Sequence, residues 1–226
     1  MGLDISRQRL LIDEKALNNY KFRIFGVGNV GGLLCLTLGK MGVTNIEVYD
    51  RDIVEEGNVA PQIYGKEHVG MNKVDALADI MKRQVGLEIE THHGEIDENS
   101  TIPLEPNTIY YCGFDSFEAR RILWNKIKKA PVHFIDTRIG AEHYRFYMFP
   151  LSDTEMKEEY EKSIRTDAPE SMLKCGEKGA YPINAELVAR LAKNIKLYAE
   201  GKSYTQILIT DWDTPHEHEI RRVKEI

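Results

Sequence analysis

Apolar and polar positions follow two rhythms along this chain, and the switches between them mark out its elements. Lys21-Phe-Arg-Ile-Phe25 is a short β-favouring run that ends at a glycine cluster, Gly26-Val-Gly-Asn-Val-Gly31. Leu33 to Met41 continues as an apolar helix, and Gly42 stops it. Asn45 to Tyr49 reads as the next strand and ends at Asp50. From Asn72 to Gln84, Val74, Leu77, Ala78 and Met81 recur at helical spacing. Glu88 to His92 and Thr108 to Cys112 read as strands. Ser116 is placed to cap a helix running to Lys129, because its hydroxyl can accept an early backbone N–H. Val132 to Asp136 and Tyr144 to Phe149 follow as strands. Tyr144, Phe146, Tyr147 and Phe149 fit a half-buried strand better than a base-stacking surface. The β-α-β-α order predicts an α/β fold with a mainly parallel sheet covered by helices.

The remainder of the chain has a different character. Ser152 to Gly179 is polar and charged with few apolar anchors, so a mobile loop is expected over 152–180. Asn184 to Glu200 is then a long amphipathic helix, with Leu187, Val188, Leu191, Ile195 and Tyr198 on one face. Thr205 to Thr210 adds one more strand, and the charged segment Asp211 to Ile226 reads as a tail. With no internal repeat and no Pro/Gly/Ser linker, residues 1–226 read as a single domain.

Composition narrows the function classes. The 226 residues are 42% hydrophobic and 29% charged, which excludes a mainly disordered or collagen-like chain. The net charge of -6 gives no general attraction to nucleic acid or to an anionic membrane. No run approaches the ~20 apolar residues of a membrane span. Cys35, Cys112 and Cys175 are odd in number and far apart, with no CxxC pair. That excludes a zinc ribbon and a thioredoxin-type redox pair, and it favours a reducing compartment. Met1 to Arg7 lacks the apolar core of a signal peptide, although Met1 to Ser6 fits the short M-G-x-x-x-[ST] lipidation pattern. A cytoplasmic protein with neither nucleic-acid nor membrane partners is expected.

The chemistry gathers around the glycine cluster. Gly26, Gly28 and Gly31 form a G-x-G-x-x-G turn between strand and helix, where phosphate can approach backbone N–H groups at a helix N-terminus. Asp50 ends the following strand, where a carboxylate can accept ribose hydroxyls. These features predict nucleotide binding without choosing NAD from ATP. Further along come Asp52, Asn58, Gln62, Gly70-Met-Asn-Lys73 and, after the strand ending at Cys112, Asp115. Taken singly, Asn58 reads as a turn cap, Gln62 as an exposed side chain and Lys73 as part of a solvated helix face. Taken together, they suit a triphosphate: lysine neutralises phosphate, a carboxylate holds magnesium and amides orient the chain.

The pattern G-x-G-x-x-G, D-x-D-x-V-x-x-x-N-x-x-x-Q, G-x-x-K and a later Asp resembles the ubiquitin-activating-enzyme superfamily of the ThiF/MoeB type, over roughly residues 5 to 150. The resemblance implies a Rossmann-like α/β fold with helices on both faces of the sheet, to which the pattern beyond it adds the C-terminal helix and strand. It implies ATP-dependent adenylation of the C-terminal glycine of a ubiquitin-like or sulfur-carrier protein. On that carry-over Asp50, with Asp52 beside it, holds the ribose end of ATP. Asn58, Gln62 and Lys73 contact the phosphates, and Asp115 binds Mg2+. Ser6-Arg7-Gln8 resembles the family's N-terminal segment, whose arginine reaches the partner subunit's ATP in a homodimer. Arg138, in Ile135-Asp-Thr-Arg-Ile-Gly140, matches more loosely as a contact for the substrate tail or phosphate.

Two departures qualify the resemblance. Pro61 stands where many relatives carry an arginine and offers no side-chain donor, which leaves Arg7, Arg9 or Arg51 to compensate. The zinc-binding cysteine pairs of many relatives are also missing. Cys175, flanked by Lys174 and Lys178, is a candidate thioester nucleophile in the expected mobile loop, set against a loop cysteine without function. Cys35 and Cys112 read as core. His216 and His218 read as part of the charged tail, and Lys126 to Lys129 as cations at a helix C-terminus. Two alternatives remain open: an NAD(P)-dependent oxidoreductase on the same glycine loop, and a catalytically weak scaffold that binds a ubiquitin-like protein.

Overall fold

The structure is a computed structural model that describes residues 3–140, 143–165, 179–211 and 217–222. Its strands are β1 (Lys21–Phe25), β2 (Ile46–Asp50), β3 (Glu90–His93), β4 (Thr108–Cys112), β5 (His133–Ile139), β6 (His143–Pro150), β7 (Thr205–Asp211) and β8 (Glu217–Arg222). Its α-helices are α1 (Glu14–Leu17), α2 (Gly31–Lys40), α3 (Lys73–Val85), α4 (Phe117–Ile127), α5 (Thr154–Arg165) and α6 (Tyr181–Ala199). The strands form one sheet in the order β3-β2-β1-β4-β5-β6-β7-β8. The half from β3 to β5 is parallel, and β6, β7 and β8 extend it antiparallel. The strand order reverses beside β1, so the mouths of β1, β2 and β4 open together at one sheet edge. That is where open α/β sheets bind their ligands.

Helices cover both faces. The first core joins Leu34 and Leu38 of α2, Leu77 of α3, and Leu187 and Leu191 of α6 to Phe22, Ile24 and Val48 of the sheet. The second joins Leu123 and Trp124 of α4 and Met156 and Tyr160 of α5 to Phe25, Phe134 and Phe149. Helix α2 is apolar on nearly every side because it lies between the sheet, α3 and α6. Cys35 and Cys112 are buried free thiols, and burial pushes both upward from the ordinary thiol range.

Three sequence expectations are corrected. Thr154–Arg165 is helix α5 where polarity predicted a loop. Its buried anchors Met156, Tyr160 and Ile164 recur every fourth residue, enough to seat one helical stripe against Trp124. The rest of that expected loop, 166–178, lies outside the described residues. The expected tail contributes β8, whose backbone pairs with β7. Strand β6 is buried on both faces: Tyr144 and Phe146 enter the first core, while Tyr147 and Phe149 enter the second.

A buried ion pair crosses the sheet between β1 and β2. Glu47 accepts from Arg23 Nε at 2.6 Å and sits 2.8 Å from Lys21 Nζ, and Tyr49 OH also donates to it. Burial opposes its ionisation, but hydrogen bonds from Lys21, Tyr49 and Arg23 outweigh this and hold the carboxyl down at about 2. A carboxylate so depressed stabilises the fold above its ordinary value near 4.5, and that share is lost as pH falls toward 2. Glu47→Gln is therefore expected to cost about 2–3 kcal/mol at pH 7 and to flatten the decline between pH 4.5 and 2. Urea unfolding of both proteins at pH 7 and pH 3 checks this; an equal loss in both would sink it.

Candidate functional site

The glycine turn is built by close backbone approaches. Gly26 has φ +85°, and a Cβ there would meet the Gly113 backbone at 2.9 Å. A Cβ on Gly31 would lie 1.9 Å from the Gly26 carbonyl, so only glycine lets α2 start this near the end of β1. The turn is tied down by Asp50, whose Oδ2 accepts from Val27 N at 2.8 Å while Oδ1 accepts from Asp52 N at 2.8 Å. Burial raises the Asp50 carboxyl, against the two backbone N–H bonds and the charge of Lys73.

Lys73 is the first residue of α3 and is buried, at 7% exposure. A cation there is opposed by the helix dipole, so something else must hold it. Its Nζ lies 2.8 Å from Asp52 Oδ2, and its backbone N donates to the Asp52 carbonyl at 2.9 Å. Tyr64 OH donates to the carbonyl of Val27 at 2.7 Å and also contacts the Lys73 carbonyl, linking glycine loop to lysine.

These elements enclose a cavity of about 1520 Å³ lined by Gly26, Gly28, Asp50, Asp52, Asn58, Gln62, Lys73 and Asp115. It exceeds the roughly 300–1,000 Å³ of a small-molecule pocket, which leaves room for a nucleotide and part of a second substrate. Gln62 is buried, not surface-exposed, and its Oε1 has no hydrogen-bond partner. Lys73 likewise departs from a solvated helix face. Asn58 caps the turn that begins at Glu55, accepting from Glu55 N at 3.0 Å, and still borders the cavity. Gly31 stands behind the turn as a packing residue. Asp115 is exposed at the cavity wall, next to the cap of α4, where Ser116 accepts from Glu118 N and Ala119 N.

Other expected residues fall elsewhere. Arg7 is exposed, on a 3-10 turn (Ser6–Gln8) whose Gln8 donates to the carbonyl of Lys40. That is the far end of α2, a ten-residue helix about 15 Å long, from its own glycine loop. Arg9 lies beside Lys196 and Lys202, not in the cavity, whereas Arg51 borders the cavity and pairs with Glu95. The carbonyl of Pro61 accepts from Asn184 Nδ2 at 3.0 Å, which pins the Asn58–Gln62 loop to α6. Lys126 does stand in the last turn of α4, and it donates to the carbonyls of Glu98 and Ser100. Cys175 and His216 lie outside the described residues, as does the side chain of His218.

Sequence reasoning missed the buried network behind Asp115. Asp136, fully buried, pairs with Arg120 Nη1 and with Arg138 Nε, the latter at 2.9 Å. Arg120 also donates to the carbonyls of Phe114 and Thr137, gripping the residue before Asp115. Arg138 reaches Ser163 Oγ on α5 at 2.9 Å. A legible signal existed: Asp136 is a charge at the end of an otherwise apolar run.

The fold and its glycine-turn cavity define a Rossmann-like α/β protein. Residues 5–199 match the ThiF family, and the chain belongs to that family. It is 32% identical over 109 residues to the NEDD8-activating enzyme E1 catalytic subunit of Caenorhabditis elegans, covering 47% of this chain and 25% of that protein. It is 25% identical over 130 residues to ubiquitin-like modifier-activating enzyme 5 of Drosophila willistoni, covering 51% and 32%. These matches thus span about a quarter to a third of those relatives' lengths. Among solved structures, E. coli MccB with ATP superimposes with a TM-score of 0.74 at 18% identity, covering 92% of this chain and 65% of that one. PaaA gives 0.67 at 20% identity, covering 94% and 66%. Among the described residues, no helix is long and apolar enough to cross a membrane.

Proposed function

We propose that this chain is an ATP-dependent adenylyltransferase that activates the C-terminal carboxylate of a ubiquitin-like or sulfur-carrier protein, or of a peptide. The observation that carries the reading is the convergence on one cavity of Gly26, Gly28, Asp50, Asn58, Gln62, Lys73 and Asp115, drawn from distant parts of the sequence. Relatives named as activating enzymes for ubiquitin-like modifiers, and a fold relative solved with ATP and with the peptide MccA, support it.

In this reading the terminal carboxylate of the substrate attacks the α-phosphorus of ATP, the bond to the β-phosphate breaks, and pyrophosphate leaves. The attacking carboxylate is already ionised at neutral pH, so the protein supplies no general base. Catalysis rests on position and charge. The backbone N–H groups at the start of α2 face the phosphates, and the remaining lone pairs of Asp50 receive the ribose. Lys73 exchanges its contact with Asp52 for phosphate oxygen. The buried Gln62 amide orients the chain, and Asn58 borders the same path.

The oxygen donors at the cavity, Asp115 with Asp50 and Asp52 nearby, suit magnesium, a hard cation. Asp115 is the ligand we assign to it; the ion's contribution is to offset charge on the phosphates. Arg7, too far to serve its own site, would serve a second copy's, so a homodimer belongs to the same proposal.

Calorimetric titration with Mg-ATP and, separately, with NADH tests the reading. Micromolar ATP binding, weakened roughly tenfold (~1.4 kcal/mol) in Asp115→Ala and insensitive there to magnesium, is the expected result. NADH binding with ATP silent would overturn it.

A further inference from the structure

Arg138 and Arg145 stand directly opposite each other across the antiparallel β5–β6 pair, so both side chains leave the same face of the sheet. Both border the cavity. Like charges in that relation oppose folding unless an anion lies between or above them. The one buried carboxylate at hand, Asp136, is already shared by Arg120 and Arg138. Arg138 is further fixed by Ser163 and by the rings of Tyr147, Phe117 and Tyr160, at 5.2, 5.3 and 5.6 Å. Arg145 is half-buried, and no hydrogen bond or ion pair engages its side chain among the described residues. At this end of the cavity the aromatic cage holds Arg138 beside Asp136, and Arg145 across from it is left without a counter-charge among the described residues.

We infer that this end is a carboxylate subsite, and that the substrate brings to it an acidic side chain in its C-terminal tail. The inference deepens the adenylation reading and rests on it. Strand order fixes the spacing. From β1, which ends at the glycine turn, the sheet steps through β4 and β5 to β6. Neighbouring strands lie about 4.8 Å apart, so three steps cover about 14 Å, and an extended tail gains about 3.3 Å per residue. An acidic residue about four positions before the reacting end would reach Arg145. A nucleotide over β1 and β2 would leave this end of the cavity clear.

Three fluorescein-labelled octapeptides ending in Gly-Gly test the inference, carrying Asp, Asn or Lys four residues before the C-terminal glycine. Fluorescence polarisation against the full chain is expected to show the Asp peptide binding at least tenfold tighter than the Asn peptide. The Lys peptide should be weakest, and the preference should shrink as salt rises. Arg145→Gln is expected to erase the preference and Arg145→Lys to keep part of it. Equal binding of the three peptides, no binding by any, or a preference that survives Arg145→Gln overturns the subsite. A Mg-ATP titration of the unaltered protein separates the two ideas: ATP silence beside intact acid selectivity would strike the adenylation reading, not the anion-binding end.

Discussion

Lys73→Ala is expected to weaken Mg-ATP binding by about ten- to a hundredfold while leaving the fold almost as stable as before. The binding loss follows from removing one charge-assisted hydrogen bond to phosphate, worth about 1.5–3 kcal/mol in a partly desolvated site. The small stability effect follows from the partner. Asp52 has 53% of its side chain exposed, so water replaces the lysine, and such half-exposed pairs contribute about 0–1 kcal/mol. Losing a cation from the first turn of α3 also removes an unfavourable interaction with the helix dipole. Calorimetry and urea unfolding on the same samples read the two effects separately. A variant that binds ATP normally would remove Lys73 from the phosphate site. One that loses binding and stability together would make it a structural residue. Asp52→Asn should be milder, because it leaves the cation in place and removes only its resting partner.

The elements that sequence pattern placed correctly are those whose burial repeats with a short period. Strand β4 and the Ser116 cap of α4 stand where expected, because apolar runs and caps are local signals. Helix α5 was hidden by composition: three anchors among nine polar or charged residues are enough to pack against Trp124, but too few to dominate a window. The two-faced burial of β6 was hidden because the helices over it come from separate parts of the chain, α6 on one side and α4 with α5 on the other. At the site, sequence named the residues that line the cavity but not those that hold them. Tyr64 acts on carbonyls of Val27 and Lys73, and no spacing rule marks a hydroxyl that bonds to backbone far along the chain. Arg120 and Arg121 are adjacent helical arginines, and only the three-dimensional placement of Asp136 separates the buried one from its neighbour.

That buried arginine gives the other large effect. Asp136→Asn is expected to destabilise the protein by about 3–5 kcal/mol, because it leaves two mostly buried guanidiniums without their shared counter-charge. Among the described residues no other carboxylate pairs with either arginine: Arg120 otherwise donates to the carbonyls of Phe114 and Thr137, while Arg138 meets Ser163 and three aromatic rings. Asp136 is completely buried, so water cannot substitute as it does for Asp52. A second consequence separates this site from an ordinary core ion pair. Arg120 grips the carbonyl of Phe114, one residue before Asp115, so loosening it should let the proposed magnesium ligand drift. Asp136→Asn and the gentler Arg120→Lys should therefore both raise the magnesium concentration needed for half-maximal ATP binding, at a temperature where each is still folded. Urea unfolding gives the stability loss, and magnesium titration at fixed ATP gives the shift. A large loss of stability with no change in magnesium requirement would leave the network as a brace for the fold alone. A loss below about 1 kcal/mol would mean that the two arginines are better solvated than their burial indicates.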